Sequence, residues 1–524
     1  MGRSKEDVPD AEGGGTVTAH PILCSMRSWL ALIGFFGFVN LYALRVNMSV
    51  AMVCMINQTA VQMELAESQT SIRASSVVNT TEETDSKCSN SVGGKNSTLA
   101  DGEFAWAKET QGIILGSFFW GYLVTQIPGG LLSERFGGKR ILGWFMFMTA
   151  ASTLLTPIGS RASPYFLVAL RIMGGLGEGV VFPAMHSLWS NWAPPLERSK
   201  LIGFTYAGAQ IGNVITLPIS GLLCSYGFDG GWPSIFYVFG AFGVLWFAAW
   251  MFIVSDTPSQ HPRITYEEEH YIITSIGDSG NRREKLKKLG TPWKDIFTSK
   301  PVWGIILAHM CANWGTYTLL TNIPAYMREV LKFDIKTNGA LSAIPYIAFW
   351  AFINIGGNVA DFLRARGWKT VTVRKISVIL GLIFPGIFLI CTGFITCENP
   401  YIAVAVLTLA VGFSGFQYSG MMVNHVDIAP PFAGVLFGIS NTAATMPGFL
   451  APYAIGKLTT HQTQQEWQTV FYISAAIYTV GCIAYLLLAA GEIQPWAKRY
   501  MIEDTADVDE KIALEGTKNQ KLDD

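Results

Sequence analysis

The sequence predicts an all-α membrane protein of twelve transmembrane helices in two six-helix halves, and three observations carry that prediction. Charged residues make up 14% of the 524 and hydrophobic residues 50%, with a mean hydropathy of +0.32; soluble chains carry about 25% charged residues. The apolar residues gather in runs of spanning length, about 20 residues each. The runs fall as six, a polar stretch, and six. Runs this long and uniformly apolar satisfy their backbone as helices, whereas barrel strands would be about 10 residues long and would alternate.

In chain order, a polar tail, 1–27, precedes runs near 28–56, 111–132, 141–160, 164–190, 201–224 and 232–254, which make an N-terminal bundle, 28–254. The linker 255–300 carries Glu267–Glu269 and Lys285–Lys288, expected on a solvated helix. Runs near 301–323, 338–360, 376–396, 401–425, 432–456 and 467–490 make a C-terminal bundle, 301–496, followed by a polar tail, 497–524. Both tails have the composition of disordered segments. The first apolar run is too long for the core of a signal peptide.

Lysine and arginine orient the chain. With the N-terminus cytosolic, the short cytosolic loops hold ten basic residues, among them Arg135, Lys139, Arg140, Arg198 and Arg364, and the short loops opposite hold four, Arg161, Arg328, Lys332 and Lys336. Both termini are then expected in the cytosol and the loop 57–108 on the outer or luminal side. That loop carries the glycosylation sequons at Asn57, Asn79 and Asn96. A fourth match, at Asn47, lies inside the first run. Cys88 and Cys397 fall in polar loops on the same oxidising side, which makes a disulfide between them a candidate. The other six cysteines, Cys54 and Cys224 among them, sit in or beside apolar runs and read as small core residues.

The two halves repeat. Gly129-Gly130-Leu-Leu-Ser-Glu134 follows the second run and Gly356-Gly357-Asn-Val-Ala-Asp361 the eighth. Ala193-Pro194-Pro195 precedes the fifth run and Ala429-Pro430-Pro431 the eleventh, and Pro218 and Pro447 are expected to interrupt those two spans. Internal duplication with a path between the halves is the architecture of rocking transporters. Glu134 and Asp361, beside Lys139, read as gating or structural acids at cytosolic helix ends.

A charge at bilayer depth costs about 2.5–3.5 kcal/mol on insertion scales. Three stand well inside the runs: Arg45, Arg171 and Glu178. Arg45 reads as an anion clamp in a polar cavity, or else as a buried arginine bonded to backbone carbonyls or a neighbour's hydroxyl. Arg171 and Glu178, seven residues apart, share one helix face about 10 Å from each other, as a working pair or as a static ion pair. Gly174, Gly175, Gly177 and Gly179 around Glu178 allow close helix approach. His186 lies nearer the cytosolic end, as a proton-linked group or a merely hydrogen-bonded one. Two arginines and one glutamate sum to +1, and protonating Glu178 makes the cluster +2. An anion and a proton are therefore expected to bind together, with Glu178 taking the proton.

Several strings resemble one family over about residues 27–497. The Gly-Gly-x-x-x-acid loop is similar to that of the major facilitator superfamily. Within it, Tyr42-Ala-Leu-Arg45-Val-Asn, Gly116-Ser-Phe-Phe-Trp-Gly-Tyr122, Gln126-Ile-Pro-Gly-Gly130, Pro183-Ala-Met-His186 and Trp192-Ala-Pro-Pro-Leu-Glu-Arg-Ser-Lys200 resemble the anion:cation symporters. That is the family of sialin, the vesicular glutamate transporters and the sodium/phosphate cotransporters. Asn424-His425-Val-Asp427-Ile-Ala-Pro430 and Glu466-Trp-Gln-Thr-Val-Phe-Tyr472 resemble the sialin branch most.

The resemblance implies substrate-path roles for Arg45 and Arg171, contacts from Tyr42, Tyr122 and Tyr317, and proton coupling at Glu178 and His186. Three positions depart from it. Gly174 stands where sialin has a glutamate, and Leu115 and Ala312 stand where the vesicular glutamate transporters have a histidine and an arginine.

The expected function is proton-coupled transport of a small organic anion, sialic-acid-like or another acidic sugar or amino acid, by alternating access. The alternative is sodium-dependent cotransport of inorganic phosphate. The membrane is lysosomal, vesicular or plasma membrane, and the working unit a monomer. No cofactor is expected beyond the co-transported H+ or Na+. The scattered cysteines give no metal spacing, the net charge of −1 gives no footprint for nucleic acid, and the intramembrane residues include no positioned nucleophile, so an enzyme is not expected.

Overall fold

A peptide group in lipid finds no water to bond, so each apolar run closes its hydrogen bonds along its own axis. The structure, a computed structural model, describes residues 7–9, 16–18, 25–57, 59–61, 63, 102–194, 197–276 and 291–499. In the first half the spans are α1 (Met26–Met55), α2 (Lys108–Phe136), α3 (Gly138–Ala162), α4 (Pro164–Trp192), α5 (Arg198–Tyr226) and α6 (Trp232–Ile253). In the second half they are α7 (Lys300–Glu329), α8 (Ile335–Ala365), α9 (Thr370–Phe394), α10 (Pro400–Ile428), α11 (Ala433–Leu458) and α12 (Gln464–Leu488). A two-strand antiparallel ladder, β1 (Asp7–Pro9) with β2 (Thr16–Thr18), stands in the N-terminal tail, where no order is expected.

Among the described residues, nine of the twelve helices are long and apolar enough to cross a membrane by length and composition. The other three, α2, α7 and α11, carry polar side chains that bond between helices. Gln126 donates to Thr445 Oγ1 at 2.8 Å and accepts from Asn441 at 3.0 Å, and Asn313 donates to the Ala444 carbonyl at 3.0 Å.

Several boundaries differ from the expected ones. α4 breaks at Val180, between segments ending at Gly179 and starting at Val181. Pro183 has no N–H to bond the carbonyl four residues back, which removes a rung there. α10 breaks through a 3-10 turn, Gly415–Tyr418. α5 and α11 instead run unbroken through Pro218 and Pro447. α7 continues past its apolar run to Glu329, which places Arg328 in its last turn, buried, rather than in a loop.

We call the face where α1 begins and α12 ends the terminal face, and its opposite the loop face. On the loop face the halves touch backbone to backbone. A Cβ at Gly456 of α11 would lie 2.6 Å from the Lys108 carbonyl of α2, and one at Gly221 of α5 would lie 3.1 Å from Gly339 Cα of α8. Toward the terminal face, Gly203, Gly434 and Gly438 have nothing within 4 Å. The halves therefore meet on the loop face and part on the terminal one.

Each half is tied within itself. Cys54 and Cys224 form a disulfide between the loop-face ends of α1 and α5, with Cα atoms 6.4 Å apart. This corrects their reading as plain core residues: the ends of two separate runs are brought together, which spacing along the chain does not show. Cys397 is also disulfide-bonded; its expected partner, Cys88, lies outside the described residues. Arg161 clasps Glu103 at 3.0 Å and Asp229 at 3.1 Å. Hydrogen bonds from Arg161 hold the Glu103 carboxyl below the usual carboxylate range. Its contribution is thus present at neutral pH and fades only as pH falls through that lowered value.

At the terminal face Arg27 pairs with Glu197 at 2.8 Å, and Glu268 accepts the Met26 and Arg27 amides at 3.0 and 3.2 Å, capping α1. Glu268 is thus 2% exposed. The linker helix docks on the bundle through Glu268, Tyr271 and Ile272 and leaves Glu267 exposed, so it is solvated on one face only; Lys285–Lys288 lie outside the described residues. In the second half Arg374 pairs with Asp427 at 2.7 Å.

Replacing Cys54 and Cys224 by serine should remove about 2–4 kcal/mol from the first half. Thermal unfolding in detergent should show a midpoint below that of the oxidised parent protein. An unchanged midpoint would mean that the cross-link constrains nothing.

Candidate functional site

The intramembrane charges meet where α1, α2 and α4 cross. α4 lies close on α2 because Gly175 and Gly179 leave no side chain between it and the Phe118 and Tyr122 carbonyls, and Gly177 does the same against α3. That approach carries Glu178 to α1, where its Oε2 accepts Arg45 Nε at 2.8 Å. Arg45 is 7% exposed and Glu178 0%. The carboxylate closes on Arg45, so the static pair with Arg171, one of the two readings of these residues, is not the one formed.

Aromatic rings box the pair. The Arg45 guanidinium lies 4.8 Å from the Tyr42 ring, 4.8 Å from Tyr122 and 5.3 Å from Phe118. Arg171 lies 5.0 Å from the Phe118 ring, so one ring serves both cations. Tyr317, from α7, packs edge-on against Phe119 at 4.5 Å and supplies the second half's contact. Among the described residues, Arg45 Nη2, Arg171 Nε and Glu178 Oε1 have no hydrogen-bond partner. Buried polar atoms are normally paired, so these three are where an anion's oxygens and a proton have bonds to gain.

Below this cluster a cavity of about 640 Å³ opens toward the terminal face. Tyr122 roofs it, and Gln126, His186, Arg198, Phe437 and Asn441 line it from both halves. Above the cluster the path narrows to crevices of about 10 and 20 Å³. Each holds at most about one water, so the path is shut toward the loop face.

The site residues expected from sequence divide accordingly. Arg45, Glu178, Tyr42 and Tyr122 form one cluster, and Arg171 joins it through Phe118. His186 is exposed to the cavity, with its ring 5.4 Å from Tyr206. It stands eight residues beyond Glu178, about 12 Å along the helix, and the structure does not bring the two together. Asp361 is exposed, and among the described residues it holds no ion pair. The Glu134 side chain lies outside the described residues. Lys139 is held by its backbone: its amide donates to Asp256 Oδ1 at 2.7 Å. Asn57 is half-buried, and its Oδ1 accepts the Ala60 amide at 2.8 Å; Asn79 and Asn96 lie outside the described residues.

Three features escaped the sequence reading. Phe118 and Phe119 stand in the Gly116–Tyr122 string, which gave them no role at the site. Lys108 and Glu329 form a buried ion pair between the halves, with exposures of 7% and 6%; each falls just outside an apolar run, where charges are unremarkable. Glu197, inside the Trp192–Lys200 string, binds Arg27, and Arg198 donates to the Ala193 carbonyl at 3.2 Å. That string folds the turn between α4 and α5 onto the start of α1.

Position 174 is open. A Cβ there would meet Ser152 Oγ at 3.4 Å and Phe118 at 4.0 Å, which are ordinary contacts. Leu115 lines the crevice between Arg45 and Arg171, and Ala312 is 1% exposed in the core of the second half.

Comparison with known proteins shows the family and the fold. The family model described as Major Facilitator Superfamily matches residues 95–452. Human sialin is 45% identical over 495 residues, covering 94% of this chain and 95% of its own length. Vesicular glutamate transporter 3 of Danio rerio is 40% identical over 491 residues, covering 94% of this chain and 76% of its own. Among solved structures, a D-xylose–proton symporter superposes with TM-score 0.62 at 14% identity, covering 88% of this chain and 98% of that one. An inward-facing bacterial homologue of the human lysosomal transporter Spinster superposes with TM-score 0.65 at 14% identity, covering 91% and 98%. Both show the fold.

Arg45→Ala should strand Glu178 as a buried unpaired charge and cost about 3–5 kcal/mol. Adding Glu178→Gln should restore most of the loss. A double-mutant cycle on detergent unfolding reads the coupling, and additive losses would show that the pair does not interact.

Proposed function

This chain belongs to the Major Facilitator Superfamily and is a membrane transporter of anions, and from that premise we propose that it moves an organic anion together with a proton. The observation that carries the proposal is the Arg45–Glu178 pair, buried at the roof of a cavity open to one face. Neither charge can be left alone at low dielectric. An incoming carboxylate can take Arg45 only if Glu178 is neutralised, and a proton can take Glu178 only if Arg45 finds another anion. Anion and proton therefore bind as a set, and the cluster charge stays at +1. Arg171 adds a second cation across Phe118, and Tyr42, Tyr122 and Tyr317 wall the substrate. His186 stands in the cavity as a group through which protons pass between Glu178 and bulk water.

The substrate class is a sialic-acid-like monocarboxylate. Human sialin, 45% identical, supports this, and so does the leucine at 115 and alanine at 312, which leave the site without two cationic groups that a dicarboxylate would use. The face with the open cavity is cytosolic. The disulfide at the opposite face supports this orientation, because such bonds persist in oxidising compartments. Glu134 and Asp361, with Lys139, latch the cytosolic face when the cavity closes. Glycans are carried on the 57–108 loop, first at Asn79 and Asn96, since the Asn57 carboxamide is engaged in the fold. The membrane is that of an acidic vesicle or lysosome.

Uptake of radiolabelled sialic acid, phosphate and glutamate into proteoliposomes, with proton and sodium gradients imposed separately, tests the proposal. Proton-driven sialic acid flux is expected, with Glu178→Gln abolishing the response to the gradient and Arg45→Ala abolishing flux. Sodium-driven phosphate flux indifferent to Glu178→Gln would replace this reading with cotransport of phosphate. Gly174→Glu should lower the cluster charge to zero and weaken anion binding several-fold; unchanged half-saturation would show that the cluster charge does not set affinity.

A further inference from the structure

The closed loop face carries a second charged feature that the central cluster does not use. Lys108 opens α2 in the first half, and Glu329 closes α7 in the second. Lys108 Nζ pairs with Glu329 Oε1, and the other carboxylate oxygen accepts Trp467 Nε1 of α12 at 3.2 Å. Both partners are more than nine-tenths buried. The Lys457–Glu109 pair nearby is half exposed and worth little. A carboxylate at the C-terminal end of a helix meets the negative end of its dipole, so Glu329 is held there by Lys108 and Trp467 against its own helix.

The pair caps a polar column. Beneath it lies the crevice of about 20 Å³, lined by Gln111, Asn322 and Arg328 among others. Ser49, Leu115 and Thr321 line this crevice and also the next one down, which reaches Arg45 and Arg171. The column thus runs from the buried Lys108 and Arg328 to Arg45 and Arg171.

We propose that Lys108 is the loop-face receiving site for the carboxylate of the transported anion, and that Glu329 is an internal carboxylate occupying that site while the face is shut. Lys108 and Glu329 lie on different halves, so opening this face parts them. Glu329 keeps Trp467, which belongs to its own half, and Lys108 loses its buried anion, with only the half-exposed Glu109 beside it. A substrate carboxylate then takes the ammonium in place of the glutamate, one oxyanion for another, and offsets the cost of opening. A ligand shifts a conformational equilibrium by its differential affinity for the two states. Here that difference exists because Lys108 offers its charge to substrate only when the loop face is open.

This inference rests on the anion-transport reading, and two readouts separate their failures. The first is loop-face labelling of Asn322→Cys by a membrane-impermeant thiol reagent. The second is the half-saturation concentration for radiolabelled sialic acid presented at the loop face. Lys108→Gln and Glu329→Gln should each raise labelling several-fold, since either breaks the closure. Only Lys108→Gln should raise half-saturation, about tenfold, and Lys108→Arg should keep the wild-type value. If both glutamine variants change half-saturation equally, or neither does, the pair is a brace and Lys108 binds no substrate. If the wild type shows no flux of sialic acid, the substrate reading fails, and the inference with it.

Discussion

The buried pair of Arg45 and Glu178 constrains everything around it. Taking two charges out of water costs several kcal/mol each, and only good geometry and further hydrogen bonds repay it. Here one contact at 2.8 Å is made while an oxygen and a guanidinium nitrogen stay without partners. Such a pair is poor value as a structural support. It suits a site whose partners must change, because each charge can leave the other only by exchange. The aromatic box fits the same logic. Tyr42, Phe118 and Tyr122 offer ring faces to a cation without competing for its hydrogen bonds.

The rest of the fold places that exchange between two bodies that can move apart. Ties that resist bending are internal to each half: the Cys54–Cys224 disulfide, the Arg161 clasp and the Glu268 cap in the first, and Arg374–Asp427 in the second. Between the halves lie the glycine contacts and the Lys108–Glu329 pair on the loop face, and the polar bonds of Gln126 beside the cavity. Backbone-to-backbone contact at glycine presents no interlocking side chains, so the surfaces can separate without forcing rotamers. On the terminal face the corresponding glycines of α11 line open space. The same residue type thus marks a closed seam at one end and an open mouth at the other.

Much of the fold was legible because lipid leaves the backbone few choices. Twelve runs long enough to span became twelve helices, and the duplicated Gly-Gly-x-x-x-acid loops and Ala-Pro-Pro strings marked the two halves. Helix ends and breaks were not legible. Pro218 and Pro447 were expected to interrupt their spans and do not, whereas α4 breaks near Pro183, which was not suspected. A proline's missing hydrogen bond is a local fact, but whether the helix survives it depends on its neighbours. The linker acids show the same limit: Glu268 reads as solvated until α1 is seen to begin above it.

At the site, sequence singled out Arg45, Arg171 and Glu178 because charges at bilayer depth are costly and therefore rare. It also placed Tyr42 and Tyr122 beside them through the family's motifs. Which charge pairs with which was another matter. Arg171 and Glu178 share a helix face, and periodicity favoured that pair. The close approach of α4 to α2 and α3, permitted by three glycines, gave the carboxylate to Arg45 of α1 instead. Phe118 became the shared neighbour of both cations for the same reason. Lys108 and Glu329 lie 221 positions apart in the chain, at the edges of apolar runs where a charge usually reaches water. Composition and pattern determined that this chain spans a membrane as a duplicated bundle with a cationic interior. Tertiary structure decided the partners, the open face and the closed one, because each depends on how helices distant in sequence cross, and a one-dimensional pattern carries no information about crossing.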